Sequence, residues 1–196
     1  EGIGYVPNSR NSSQAIINMS LNLTGVAGAP SKIDINENFK FLSSVDDINY
    51  TFQTTESITA TNDGFGNYRF TDITGNENIP IKEGIERFKT FIALPAASNT
   101  TYVIPDKNLE SPNGFFELSF GNGVTLGKAP ITGSKIEIEY LSVAGALSNG
   151  AKVFSPNNSI TLSIDGSNIN YPVIVSTFSP AIGGNSKEDL ESIRKN

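Results

Sequence analysis

At 196 residues with a formal net charge of −6, the chain is long enough for one large domain or two small ones that need no covalent staple. It has no Cys and no His, which excludes disulfides and Cys-ligated metals and removes the usual neutral-pH base, the Ser-His-Asp arrangement and the commonest zinc ligand. Only 14 Lys and Arg are scattered along this acidic chain, against nucleic acid as a partner, since phosphate binding needs clustered cations.

Along the chain apolar residues recur with a period of two rather than 3.6. Ile17, Met19, Leu21 and Leu23 alternate with Asn18, Ser20 and Asn22, the pattern of a half-buried strand. The alternation returns at Ile33/Ile35, Phe39/Phe41, Tyr50/Phe52 and Tyr68/Phe70, with Asp46 and Asp47 in a loop. "DGFGNYR" supplies a hairpin loop between Thr61 and Asn67, and "IKEGIERF" (81–88) admits a helical turn or a bent strand. Strands follow at Phe116/Leu118/Phe120 and Ile136/Ile138/Tyr140, with "SPNG" (111–114) and "GNG" (121–123) as turns. Ile160/Leu162/Ile164, the "IDGSN" turn and Ile169/Tyr171/Val173/Val175 complete the pattern. Pro172 lacks a ladder donor, which places its strand at an edge. The 12 Phe fall mainly at alternating positions and read as core. No apolar run approaches the ~20 residues of a membrane-spanning helix, and none reads as a signal peptide.

The tail "SKEDLESIRKN" breaks the β pattern. Ser186 can cap a helix with Asp189 three residues on, Arg194 and Lys195 suit its C-terminal end, and Glu191 and Lys195 form an i,i+4 pair. Leu190 and Ile193 are its only apolar face. A helix this short is marginal in water, so it is expected to continue past Asn196 or to pack on a partner. The fold class is therefore mainly β: antiparallel β-sandwich-like sheets with a short C-terminal α-helix.

Candidate chemistry reduces to ordinary structure. "DGFGNYR" has Gly64 and Gly66 but Arg69 where a dinucleotide fingerprint needs a third Gly, and it lacks the strand-to-helix context. "DINENF" alternates Asp34, Asn36 and Asn38 like a calcium loop, without the sixth-place Gly and with Val45 where the bidentate Glu belongs. Glu137 and Glu139 share a strand face with Lys135, a solvated face rather than a glycosidase pair, and Asp46/Asp47 lie in a loop. Sequons at Asn11, Asn18, Asn22, Asn49, Asn99 and Asn157 are what Asn/Ser/Thr richness produces by chance. No catalytic residue, cofactor or metal site emerges, and the expectation is a non-enzyme.

Several stretches in order carry a family resemblance: "GIGYVPNSR" leading into "AIINMSLNLTG", then "SKIDINENFKF", "INYTFQTTESITA" and "NIPIKEGIERFKTFIA". After these come "YVIPDKNLE", "GFFELSFGNGV", "KIEIEYLSVAGALSNGA" and "SPAIGGNSKEDLESIRKN". Together they resemble the baseplate wedge proteins of T-even-type contractile-tailed bacteriophages, within the baseplate J-like family. The most specific match is a Gly-Gly turn handing over to a helix, carried here by Gly183, Gly184, Glu188, Leu190, Glu191, Ile193 and Arg194. The resemblance implies a central fragment, with further chain before the GYVP-like segment and after the helix. It implies an N-terminal β region over 1–104, a second β region over 105–182 and the start of a helical region over 183–196. A small β segment that the family places before "SPNGFFELSFGNGV" is expected to be missing near 110/111, where Glu110 runs directly into Ser111.

In function the resemblance implies a virion subunit of the tail baseplate, assembled in the host bacterial cytoplasm. It would pair with copies of itself and with other wedge proteins in a ring around the tail tube. Leu190, Ile193 and Arg194 are the expected oligomer interface. No membrane, nucleic-acid or small-molecule partner is implied. A carbohydrate-binding or adhesin-type β-sandwich is the alternative, and an exposed aromatic cluster on one sheet face would favour it.

Overall fold

A computed structural model describes residues 10–92, 101–105, 115–119 and 130–186, with side chains described over 10–86 and 130–186. The strands of the first stretch are β1 (Gln14–Asn22), β2 (Lys32–Ile35), β3 (Lys40–Val45), β4 (Ile48–Thr54), β5 (Ile58–Asn62), β6 (Asn67–Thr71) and β7 (Ile79–Glu83). Then come β8 (Ile85–Ile92), β9 (Thr101–Pro105), β10 (Phe115–Ser119) and β11 (Lys135–Ser142). A 3-10 turn η1 (Gly145–Ser148) precedes β12 (Ser155–Pro156), β13 (Ile160–Ile164), β14 (Ser167–Tyr171) and β15 (Ile174–Ile182). The protein is mainly β, and every ladder among the described residues is antiparallel.

The chain divides into two units, residues 1–84 with 143–196, and residues 85–142. In the first unit β1 organises a 9-stranded sheet. One edge of β1 takes β15, Gln14 facing Ile182 and Ser20 facing Ile174. Its other edge is shared: Gln14 to Ile17 pair with β7, and Ser20 to Asn22 pair with β6. Two arms branch from there, β7-β4-β3-β12 and β6-β5-β2.

The inward residues of both arms meet in one cluster: Ile17, Met19 and Leu21 of β1, Phe41 and Phe52 of one arm, Tyr68, Phe70 and Ile58 of the other. One sheet face can reach its own other half only if the sheet curls over, which gives the sandwich-like form. The β13–β14 hairpin adds Ile160 to the same cluster, with Leu162 and Tyr171 packed against it. Phe52 and Phe154 meet edge to face with centroids 4.9 Å apart, the geometry that ring quadrupoles favour.

Tight turns set the registers. Asp46 and Asp47 both have positive φ, 49° and 62°, and join β3 to β4 as a two-residue hairpin turn whose twist suits the strands. Two further loops are near copies of each other, Asp63-Gly-Phe-Gly-Asn67 and Asp72-Ile-Thr-Gly-Asn76. In each, one aspartate oxygen accepts the amides two and four residues on, at 2.8 and 3.1 Å for Asp63 and 2.8 and 2.9 Å for Asp72. Gly66 closes the first loop at φ 89°, where a Cβ would stand 2.7 Å from the Thr24 nitrogen.

Three expectations change. The division is not the consecutive 1–104, 105–182 and 183–196, because β15 returns to pair with β1 and so joins the last part of the chain to the first. The run Ile169 to Val175 is two strands, since Pro172 and Val173 separate β14 from β15. The Phe set is not all core: Phe65 and Phe178 are exposed at 78% and 62%. The segment "IKEGIERF" contains no helical turn: it holds the end of β7 and the start of β8, with Gly84 between them. The expected helix after Ser186 and the expected gap at 110/111 lie outside the described residues, as do the "SPNG" and "GNG" turns.

The second unit holds the β8–β11 ladder, running from Ile85 opposite Ser142 to Ile92 opposite Lys135, and the β9–β10 ladder. In β11 Lys135, Glu137 and Glu139 are exposed while Ile136, Ile138 and Tyr140 are half-buried.

Candidate functional site

The most structured polar site lies where β7 ends and the chain re-enters the first unit at Val143. Inward positions of β7 fall at Ile79, Ile81 and Glu83, so strand parity turns the Glu83 side chain into the body, where it is only 4% exposed. The Ala144 amide donates to both carboxylate oxygens, at 3.0 and 3.2 Å. The Glu83 amide donates to the Ser13 carbonyl at 2.9 Å and its carbonyl accepts the Ser12 hydroxyl. Beside it the Ser13 and Ser148 hydroxyls, both fully buried, share a 2.7 Å hydrogen bond.

Burial pushes the Glu83 carboxyl above the ordinary glutamate range, while the Ala144 amide, the Ser148 hydroxyl and the Arg10 charge pull it back. Tyr50 is raised by its own burial first, and then by the charges of Glu83 and Asp46.

Backbone pairing closes the site. Asn149 binds Gly184 through both amide atoms, donating at 2.8 Å and accepting at 2.9 Å. Gly150 and Ala151 pair with Ala181 at 2.7 and 2.8 Å, and Asn11 and Asn185 exchange bonds at 3.0 and 3.2 Å. The backbones of Gly145 and Gly184 meet so closely that a Cβ on Gly184 would run into the Gly145 carbonyl. The site therefore joins the stretches 10–13, 83–84, 144–151 and 181–185.

Two open recesses flank Arg69 on the outer sheet face. One, about 190 Å³, is lined by Asn18, Ser20, Glu77, Ile174 and Ser176, and the other, about 260 Å³, by Thr59, Thr61, Asp63, Asn67 and Thr71. Arg69 stands 3.5 Å from Glu77 with both side chains exposed, a solvated pair of small energetic worth. Along β15 the outward residues Ile174, Phe178 and Ile182 form an exposed apolar stripe on a strand without a charged residue.

Two of the carboxylates weighed from sequence sit beside local partners. Asp34 is held by Lys32 at 2.8 Å and by the Thr59 hydroxyl at 2.6 Å, and Glu137 pairs with Lys135 at 2.9 Å. Among the described residues no three acidic side chains group as a metal site. Among the described residues the exposed Phe side chains stand apart: Phe178 is level with the Ile16–Ile17 bulge of β1, and the Phe65 carbonyl takes the Thr24 hydroxyl beyond its far end. The expected interface residues Leu190, Ile193 and Arg194 lie outside the described residues. Sequence reading passed over Glu83, although the alternation Ile79, Ile81, Glu83 already gives it an inward position. No protein-family model and no curated protein matches the chain.

Proposed function

We propose that the chain is a structural, non-enzymatic subunit of a contractile phage tail baseplate, a wedge protein in the ring around the tail tube whose rearrangement is coupled to sheath contraction. One observation carries the reading: the ordered series of motifs from "GYVPNSR" to "GGNSKEDLESIRKN", which spans nearly the whole sequence. The mainly-β architecture of the described residues agrees with it. Partners would be copies of itself and other wedge proteins, with Leu190, Ile193 and Arg194 at the joint.

Co-expression of the full-length protein with neighbouring tail proteins, followed by particle imaging, tests this. Rings or wedges are the expected products, and a monomer indifferent to every neighbour overturns the reading. Leu190→Asp is expected to reduce assembly at least tenfold, and unchanged assembly removes the tail from the joint. Glycan binding is the second reading, with the recesses around Arg69 as its place. The separation of Phe65 and Phe178 weighs against it, because sugar rings stack on gathered aromatics. A glycan array reports on it directly.

A further inference from the structure

Glu83 is the one acid among the buried side chains described. Its position continues the inward series of Ile79 and Ile81, where an apolar residue would be buried at no electrostatic cost. A carboxylate placed there must offset its own desolvation with hydrogen bonds and a nearby opposite charge. The structure supplies these from segments far apart in the chain: the Ala144 amide at 3.0 and 3.2 Å, the Ser148 hydroxyl, and the Arg10 charge.

We propose that Glu83 is a proton-controlled tie on the segment 143–149, its carboxylate holding the Ala144 amide when ionised and letting that segment open locally when protonated. Among the described residues the ionisable groups that face it are Arg10 from the N-terminal stretch and Tyr50 from β4. The turn η1 brings the Ser148 hydroxyl and no charged residue in its first or last turn. A hydrogen bond to a carboxylate is about twice as strong as one to a neutral acid, so ionisation tightens the Ala144 contact.

Global stability runs the other way. Burial raises the Glu83 carboxyl, so its contribution is fully present below the ordinary glutamate range and is lost as pH rises through the raised value. Local tightening and global loss over one pH interval separate a tie of this kind from a merely structural acid.

The experiment measures amide hydrogen exchange and urea unfolding on the whole chain, wild type and Glu83→Gln, between about pH 4 and about pH 8. In the wild type the protection factor of the Ala144 amide is expected to rise on the order of tenfold as Glu83 ionises, while the urea midpoint falls over the same interval. Glu83→Gln, whose amide oxygen still accepts but has no proton to lose, is expected to lose both steps. Steps that persist in Glu83→Gln, or protection that moves in the same direction as global stability, overturn the proposal. Should the variant fail to fold, the wild type alone decides by NMR. Coincident inflections of the Glu83 carboxyl carbon and the Ala144 amide support the tie, and separate inflections overturn it.

Discussion

The first unit contains two interiors built on the same strands by different means. Around Phe41, Phe52, Tyr68 and Phe70 the inward positions are apolar and fully buried, and the stabilisation comes from area removed from water, which is additive and tolerant of direction. A few residues along, Ser13 just before β1 and Glu83 at the end of β7 continue the inward series, and each polar atom needs a partner at a defined distance and angle. The lesson is one of specificity. The apolar centre supplies most of the drive to fold, whereas the polar junction allows one arrangement of the segments that meet there.

The largest expected effect breaks the apolar side of that comparison. Phe52→Ala removes a fully buried ring that packs on Phe154 and should cost about 3–5 kcal/mol in urea or thermal unfolding. A loss under about 1 kcal/mol would mean that the two arms do not share one core.

A smaller effect tests the polar side. Ser148→Ala leaves the buried Ser13 hydroxyl without its 2.7 Å partner and should cost about 1–3 kcal/mol. Changing Ser13 to Ala as well should add less than its single effect, because both substitutions remove one bond. Fully additive losses would separate the two hydroxyls energetically.

The smallest effect lies on the surface loops. The Thr74 hydroxyl, then the Asn76 amide, hold the Asp72 carboxyl below the ordinary aspartate range. Its contribution is therefore present above that range and is lost as pH falls through the lowered value. Asp72→Asn should flatten the acid limb of a stability–pH profile slightly, in the opposite sense to Glu83. No change in that limb would show the loop bonds to be neutral in worth.

Much of the fold was legible because alternation reports directly on which face a residue takes. Ile17, Met19 and Leu21 point inward as their spacing requires, and the turns at Asp46–Asp47 and Thr61–Asn67 fall where their residues demand. Other features were legible but passed over. Glu83 shares the parity of Ile79 and Ile81, and the repeat Asp-x-x-Gly-Asn at 63–67 and 72–76 marks two loops of one design. The exposure of Phe178 was hidden, because alternation in β15 gives two faces and does not say which one meets the core.

By itself the sequence determined the strand period, the turn positions and the exclusion of His and Cys chemistry, since each depends only on residue identity and near neighbours. The tertiary structure alone decided that β1 divides one edge between β7 and β6, that β15 closes the other, and that residues 85–142 form a unit of their own. The physical reason is range. A period of two states which side of a ribbon is greasy, but the choice of neighbour rests on contacts such as Gln14 with Ile182 and Ser13 with Ser148, whose favourable energy appears only when distant segments are already in place.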